Sequence, residues 1–230
     1  LTQTRNLQPL LVCVSLGYWR QLTDRGVRPD VVLGHSLGEI SALAAAGIVE
    51  ADHAVDIAAQ RGALMDEAAR AVPGGMLAVV TGERERILRW VSGEFADGRV
   101  VLANDNAPRQ IVLSGEAEAL ESAARFVVSE KLGTCRALAV SGPWHSPFLR
   151  VAQQRFGAWL ASIPFRPSRV PVVCNASAAP ERDAETVREQ VVRNLTEPVR
   201  WRESLDWLKA RQPRALLEVG PGRVLSGLAR

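Results

Sequence analysis

The sequence predicts an α/β fold in which a mostly parallel sheet with flanking helices is interrupted by a small inserted unit. Short apolar stretches alternate with helix-like segments in residues 1–74 and 141–230, a pattern typical of parallel sheets covered by helices on both faces. Residues 75–140 instead follow the order β-α-β-β-α-β, which is the split unit of ferredoxin-like folds. We therefore expect an α/β subdomain made of the two outer segments and a ferredoxin-like subdomain between them.

Local signals place the elements of the first segment. Pro9 suits a first helical turn, and Gly26 ends the helix that follows. Asp52 lies in the first turn of a later helix, which residues 73–75 (Pro-Gly-Gly) terminate. The expected elements are a helix between Pro9 and Gly26 with an apolar stripe at Leu10, Leu11, Val14, Leu16 and Leu22, a strand over residues 31–33, a helix ending at Gly47 and a helix over residues 51–71.

The remaining elements follow from the same periodicities. Within the inserted unit we expect strands over residues 76–81, 100–103, 110–114 and 136–140, helices over 83–95 and 116–132, and a turn over 104–108. In the last segment we expect helices over residues 147–162, 185–194 and 201–211 and strands over 170–174 and 215–219.

Composition excludes several classes of function. The net charge is only +3, and no dense basic run with interleaved aromatic residues is present, which argues against nucleic-acid binding. No apolar stretch is long enough to span a bilayer, and no secretory signal is visible. The three cysteines are widely spaced, so neither a disulfide framework nor a zinc site is expected, and a reducing cytoplasm is the simplest location.

Ser36 is the strongest candidate for a reactive side chain. It lies in the G-x-S-x-G sequence of residues 34–38, between an apolar strand and a helix rich in small residues. In this context the serine occupies a sharp strand-to-helix turn, with glycines permitting the turn and the helix N-terminus facing the hydroxyl. This predicts a serine nucleophile on an α/β-hydrolase-like core, although the pentapeptide alone also occurs as a structural turn.

A serine hydroxyl needs a base, and the chain offers three histidines. His35 is adjacent to Ser36 and is expected to line the site, whereas His53 is expected to face solvent on a helix. His145 lies in a Gly- and Pro-containing loop between a strand and a helix, and it is the predicted base. Its orienting partner stays open: a backbone carbonyl or a downstream acid could serve, the acids being Asp183, Glu185 and Glu218.

Arg61 is the second residue of interest, because it lies within a helix among small and apolar side chains. An arginine in such surroundings needs solvent or an acidic partner. It could hold a substrate carboxylate through two parallel hydrogen bonds, or it could pair with Asp56 or Asp66 on the helix surface. Helical spacing does not decide between these alternatives.

Together these residues resemble the malonyl-CoA:acyl carrier protein transacylases and the acyltransferase domains of polyketide synthases. The resemblance covers nearly the whole chain in order, and its motifs are Gly34-His35-Ser36-Leu37-Gly38-Glu39, Gln60-Arg61-Gly62-Ala63-Leu64-Met65, Gly142-Pro143-Trp144-His145-Ser146-Pro147, Asn194-Leu195-Thr196-Glu197-Pro198-Val199-Arg200-Trp201 and Glu218-Val219-Gly220-Pro221-Gly222.

The resemblance implies a role for each matched residue. Ser36 corresponds to the nucleophile, His145 to the base, and the Leu37 backbone N–H to a donor of the oxyanion hole. Arg61 corresponds to the arginine that pairs with a malonyl carboxylate, and Asn194 supplies the carbonyl that orients the histidine. The bulky Trp144 beside the base resembles the aromatic residue of malonyl-selective members.

The resemblance also implies malonyl-CoA and a phosphopantetheinylated acyl carrier protein as substrates, in fatty acid or polyketide biosynthesis, with no bound cofactor or metal. The family's opening G-Q-G-x-Q turn, a second oxyanion donor, has no counterpart here, because Gln3 and Gln8 lack its glycines. Loss of such a donor raises a barrier by about 3 kcal/mol. Two alternatives stay open: a serine hydrolase or thioesterase with the same nucleophile turn, and a non-catalytic module that docks a carrier protein.

Overall fold

The computed structural model describes residues 3–229. The α-helices of this part of the chain are α1 (Thr4–Asp24), α2 (Gly38–Ala46), α3 (Ala51–Ala71), α4 (Arg84–Glu94), α5 (Ala117–Ser129), α6 (Arg150–Leu160), α7 (Ala184–Arg193), α8 (Trp201–Lys209) and α9 (Val224–Leu228), with a 3₁₀ turn at Pro147–Leu149. The strands are β1 (Val32–Leu33), β2 (Gly74–Thr81), β3 (Val100–Ala107), β4 (Gln110–Glu116), β5 (Gly133–Ala137), β6 (Val172–Val173) and β7 (Pro180–Glu181).

The sheet of the outer segments has three strands in the order β1-β6-β7. β1 runs parallel to β6, and β6 runs antiparallel to β7, so the fold is α/β but this sheet is mixed rather than mostly parallel. The chain reverses within a few residues after β6, through Ala178 at a φ of 53°, and therefore has no room for the crossover that a parallel strand needs. α2, α3, α6 and α7 pack around β6 to form the largest apolar core.

The inserted unit is an antiparallel sheet in the order β3-β4-β2-β5. Alternate residues of β2 and β4 point to opposite faces. One face, which includes Val79 and Ile111, packs against α4 and α5. The other face, which includes Met76 and Val112, packs against Met65 of α3, and this contact fixes the unit against the segment that carries Ser36 and Arg61.

The structure corrects the sequence-based prediction for α1. The helix begins at Thr4, so Pro9 lies in its interior rather than in its first turn. The added turn packs closely on α3, where a Cβ at Gly62 would come within 2.9 Å of the Thr4 carbonyl oxygen. The predicted apolar stripe is only partly buried: Leu10 and Val14 are exposed and Leu16 packs against the core, whereas the buried residues of the helix are Gln8 and Val12.

Three strand predictions also needed correction. Residues 215–219, which the periodicity predicts to form a strand, pair with no strand among residues 3–229 and lie outside both sheets. Residues 104–107 belong to β3 rather than to a turn, since two register shifts keep them paired with β4. β5 ends at Ala137, three residues earlier than predicted, where β2 ceases to pair with it.

None of the helices in residues 3–229 combines the length and hydropathy needed to cross a membrane.

Candidate active site

Ser36 occupies a strained turn between β1 and α2. Its φ of 50° lies in the left-handed region, which non-glycine residues rarely adopt. Residues with such strained backbone are concentrated at functional sites. A Cβ at Gly34 would lie 2.0 Å from the Gly38 carbonyl carbon, so the first glycine is required for the chain to turn. A Cβ at Gly38 would meet nothing within 4 Å, so the second glycine does not have the steric role that the motif suggested.

His145 reaches Ser36 from the loop that precedes the 3₁₀ turn. Its Nε2 lies 2.8 Å from Ser36 Oγ, and its Nδ1 lies 2.6 Å from the Asn194 carbonyl oxygen. Because a carbonyl only accepts, Nδ1 carries the proton and Nε2 presents its lone pair to the serine hydroxyl. His145 also has a positive φ, 56°, so both members of the pair lie on strained backbone.

The environment keeps His145 neutral at physiological pH. Burial lowers the pKa of His145 to about 3, and the positive charge of Arg61 acts in the same direction. A neutral imidazole is the form that accepts a proton from serine.

The three acids that remained candidates for orienting His145 have other partners. Asp183 caps α7 by accepting from Thr186, Glu185 pairs with Arg188, and Glu218 accepts from the 225 and 226 backbone N–H groups. The Asn194 carbonyl is therefore the partner of His145 in this structure.

Arg61 lies at the centre of the site rather than on the surface of α3. It is 2% exposed and donates to Gln8 Oε1 at 2.8 Å, to Ser36 Oγ at 3.2 Å and to Asn194 Oδ1 at 3.2 Å. The alternative pairing with Asp66 does not occur, since Asp66 binds Arg70 at 2.8 Å. Burial lowers the pKa of Arg61 to about 10, which leaves it charged at neutral pH.

The backbone beside Ser36 offers a donor for a developing negative charge. Leu37 precedes the first residue of α2, and its N–H has no acceptor among residues 3–229. Free N–H groups at a helix start carry partial positive charge. This N–H can therefore donate to an oxyanion formed at Ser36.

His35 faces the inserted unit. Its Nε2 lies 2.7 Å from Asn106 Oδ1 of β3, and its ring meets Trp201 edge-on at 5.4 Å. Burial lowers the pKa of His35, so it is neutral at physiological pH. His35 thus connects the Ser36 turn to the inserted unit.

Trp144 packs into the apolar cluster between α3 and the inserted sheet. It is buried beside Met65 and Met76, and a Cβ at Gly142 would lie 2.7 Å from its ring. Among the described residues, hydrogen bonds connect Ser36, His145, Arg61 and Asn194, but they do not reach Trp144.

Three further side chains belong to the site, and the sequence alone did not predict a role for any of them. Gln8 accepts from Arg61, and Asn175 Oδ1 accepts from the Ser36 backbone N–H at 2.7 Å. The third, Glu39, is buried and accepts from Asn175 and Asn194. Only Glu39 has a local signal, since it directly follows the pentapeptide. Within residues 3–229, no group of three or more His, Cys, Asp and Glu is arranged to hold a metal ion.

Comparisons with known proteins agree with this geometry. A family model described as an acyl transferase domain matches residues 1–227. The malonyl CoA-acyl carrier protein transacylase of Bacillus subtilis is 36% identical over the whole chain and 73% of its own length.

Solved structures give the same result. The malonyl-transacylase structure (MCAT) from Streptococcus pneumoniae has a TM-score of 0.93 and 37% identity, over 99% of this chain and 74% of that one. A malonyl-transacylase in complex with a type II polyketide synthase acyl-carrier protein has a TM-score of 0.93 and 36% identity, over 99% and 74% of the respective chains. The chain therefore belongs to the acyl transferase domain family.

Proposed function

We propose that this protein transfers a malonyl group from CoA to the phosphopantetheine thiol of an acyl carrier protein, through an acyl-serine intermediate. The observation that carries the proposal is the convergence of a hydroxyl, a neutral imidazole and a buried guanidinium. Ser36 Oγ lies 2.8 Å from His145 and 3.2 Å from Arg61. The relatives named above, malonyl CoA-acyl carrier protein transacylases, support the same activity.

In the first half-reaction His145 Nε2 takes the Ser36 proton while Oγ attacks the thioester carbonyl carbon. The Leu37 N–H donates to the resulting oxyanion, and the Asn194 carbonyl stabilises the imidazolium through Nδ1–H. The C–S bond then breaks, and the CoA sulfur leaves with the proton from His145. The second half-reaction repeats these steps with the phosphopantetheine thiol as the nucleophile, and it restores the Ser36 hydroxyl.

Arg61 supplies the selectivity for a malonyl group. Its charge is buried and lies beside the nucleophile, where the distal carboxylate of a Ser36-bound malonyl group would lie. Charge-assisted hydrogen bonds to a carboxylate are stronger than neutral ones and are worth about 1.5–3 kcal/mol. Trp144, the neighbour of His145 in sequence, is proposed to shape the acyl pocket.

The finer description of the fold belongs to the same proposal. We assign residues 1–74 and 141–230 to an α/β-hydrolase-like catalytic subdomain and residues 75–140 to a ferredoxin-like subdomain. The strand order β3-β4-β2-β5 with both helices on one face supports the second assignment. The three free thiols, at Cys13, Cys135 and Cys174, support location in a reducing cytoplasm.

The test is a transfer assay with malonyl-CoA and a phosphopantetheinylated carrier protein. We expect the carrier protein to gain a malonyl group, and we expect Ser36→Ala to abolish the gain. Without a carrier protein, a transferase releases little free malonate. Rapid malonate release without a thiol acceptor would instead identify a hydrolase, and carrier-protein binding without any transfer would identify a docking module.

A further inference from the structure

Glu39 is a buried carboxylate that takes no part in the proton transfers proposed above. It is the second residue of α2 and is 1% exposed. Burial raises the pKa of Glu39 to about 7, an effect opposed by the Asn175 N–H and by the charge of Arg61. Because burying a carboxylate is costly, its contacts indicate what it contributes.

Each oxygen of the carboxylate accepts a hydrogen bond from a different loop. Oε1 accepts from the Asn175 backbone N–H at 2.8 Å, and Oε2 accepts from Asn194 Nδ2 at 2.9 Å. Asn175 follows β6 and Asn194 follows α7, at sequence separations of 136 and 155 residues from Glu39. One side chain therefore fixes two distant loops to the start of α2.

The first of these loops, which contains Asn175, positions the nucleophile Ser36 through hydrogen bonds. The Asn175 side chain accepts from the Ser36 N–H at 2.7 Å and donates to the Gly34 carbonyl oxygen at 2.6 Å. These two bonds span the strained turn. The position of Asn175 thus sets the position of Ser36.

The second loop, which contains Asn194, positions the base His145 through a hydrogen bond. The Asn194 backbone carbonyl accepts from His145 Nδ1, and its side-chain Oδ1 accepts from Arg61. Because Glu39 binds the Nδ2 of the same amide, it fixes which way that amide points. The position of Asn194 thus sets both the imidazole and the guanidinium.

We propose that Glu39 is a positioning residue for acyl transfer, which holds Ser36 and His145 in register by accepting one hydrogen bond from each of the two loops. The inference rests on the proposed function. This positioning role requires a side chain that has two acceptor oxygens and the full length of glutamate. Small displacements of a reacting pair are costly, since about 1 Å of misplacement lowers a rate by roughly 100-fold.

Two variants separate positioning from charge. Glu39→Gln keeps the shape but turns an N–H toward one of the two donors. Glu39→Asp keeps the charge beside Arg61 but is one methylene too short to reach both loops. The matched control is Glu50→Gln, an exposed glutamate whose carboxylate pairs with Arg166.

The measurement is a single-turnover time course of acylation, repeated over a range of malonyl-CoA concentrations up to saturation so that it gives both the rate constant and KM. The amplitude of the burst counts folded, competent sites, and the rate constant reports how well those sites are arranged. We expect the rate constant to fall at least 10-fold in Glu39→Gln and at least 5-fold in Glu39→Asp, with KM within 3-fold of wild type and Glu50→Gln unchanged. A purely structural role would lower the amplitude and leave the rate constant intact.

A rate constant within 2-fold of wild type in either variant would overturn the inference. If Glu39→Gln yields no folded protein, the Glu39→Asp rate constant decides by the same criterion. Failure of the wild-type protein to acylate at Ser36 would refute the proposed function itself, which keeps the two failures distinct.

Discussion

Arg61→Ala tests how the site recognises its acyl group. The Arg61 guanidinium is buried, and its pKa is lowered to about 10 because burial removes water from the charge. A substrate carboxylate would provide the counter-charge. Removing one partner from a buried, hydrogen-bonded charge pair costs about 2–5 kcal/mol, which corresponds to a loss of roughly 30- to 4,000-fold in kcat/KM for malonyl-CoA.

Acetyl-CoA lacks the distal carboxylate and should be affected less. Its kcat/KM should fall mainly through loss of the hydrogen bonds that Arg61 donates to Ser36 Oγ and Asn194 Oδ1, and we take this loss as about 1.5 kcal/mol or roughly 10-fold. At the middle of these ranges the malonyl-to-acetyl ratio therefore falls by about 2 kcal/mol, or roughly 30-fold.

The assay is the rate of Ser36 acylation by each thioester. Arg70→Ala on the same helix is the control, since Arg70 is exposed and pairs with Asp66. It should change neither rate. Equal losses for malonyl and acetyl groups in Arg61→Ala would refute the recognition of a carboxylate by Arg61.

Two further predictions concern stability. The unfolding free energy of wild type minus that of His145→Gln should decrease as pH falls from about 6.5 toward 3, because unfolded His145 takes up a proton at its ordinary pKa of 6.5 while the folded residue has a pKa of about 3. A difference that stays constant between these pH values in chemical denaturation would contradict the neutral, buried imidazole. Gly34→Ala should lower the unfolding free energy by about 3 kcal/mol, because its Cβ would overlap the Gly38 backbone, whereas Gly38→Ala should change it by less than about 1 kcal/mol. Similar thermal melting of the two variants would show that the turn tolerates a side chain at residue 34.

Local signals were sufficient for most of the helices, although α1 begins earlier than predicted and α9 was not predicted. α3 begins and ends at the predicted residues, 51 and 71, because an acidic first turn and a Pro-Gly-Gly stop are encoded nearby. Strand 215–219 failed because pairing depends on a neighbour that periodicity does not reveal. The antiparallel β7 was missed for the same reason, since its two residues form a strand only by pairing with β6.

The residues of the site also differ in whether the local sequence could predict them. Ser36 and His145 stand out because a turn motif and a stiff loop surround them, and the structure brings them within 2.8 Å of each other. Arg61 could not be distinguished from a surface arginine until its burial was known. The Asn175 side chain contributes through hydrogen bonds to Ser36 and Gly34 that span 139 and 141 residues of sequence, and no local pattern records such contacts.

Peptide mapping by mass spectrometry after incubation with malonyl-CoA tests the central claim most directly. A malonyl group bonded to the serine of the 34–38 turn, and removed by adding a carrier-protein thiol, is the predicted result. A covalent malonyl group on any other side chain, or one that persists when residue 36 is alanine, would contradict the account.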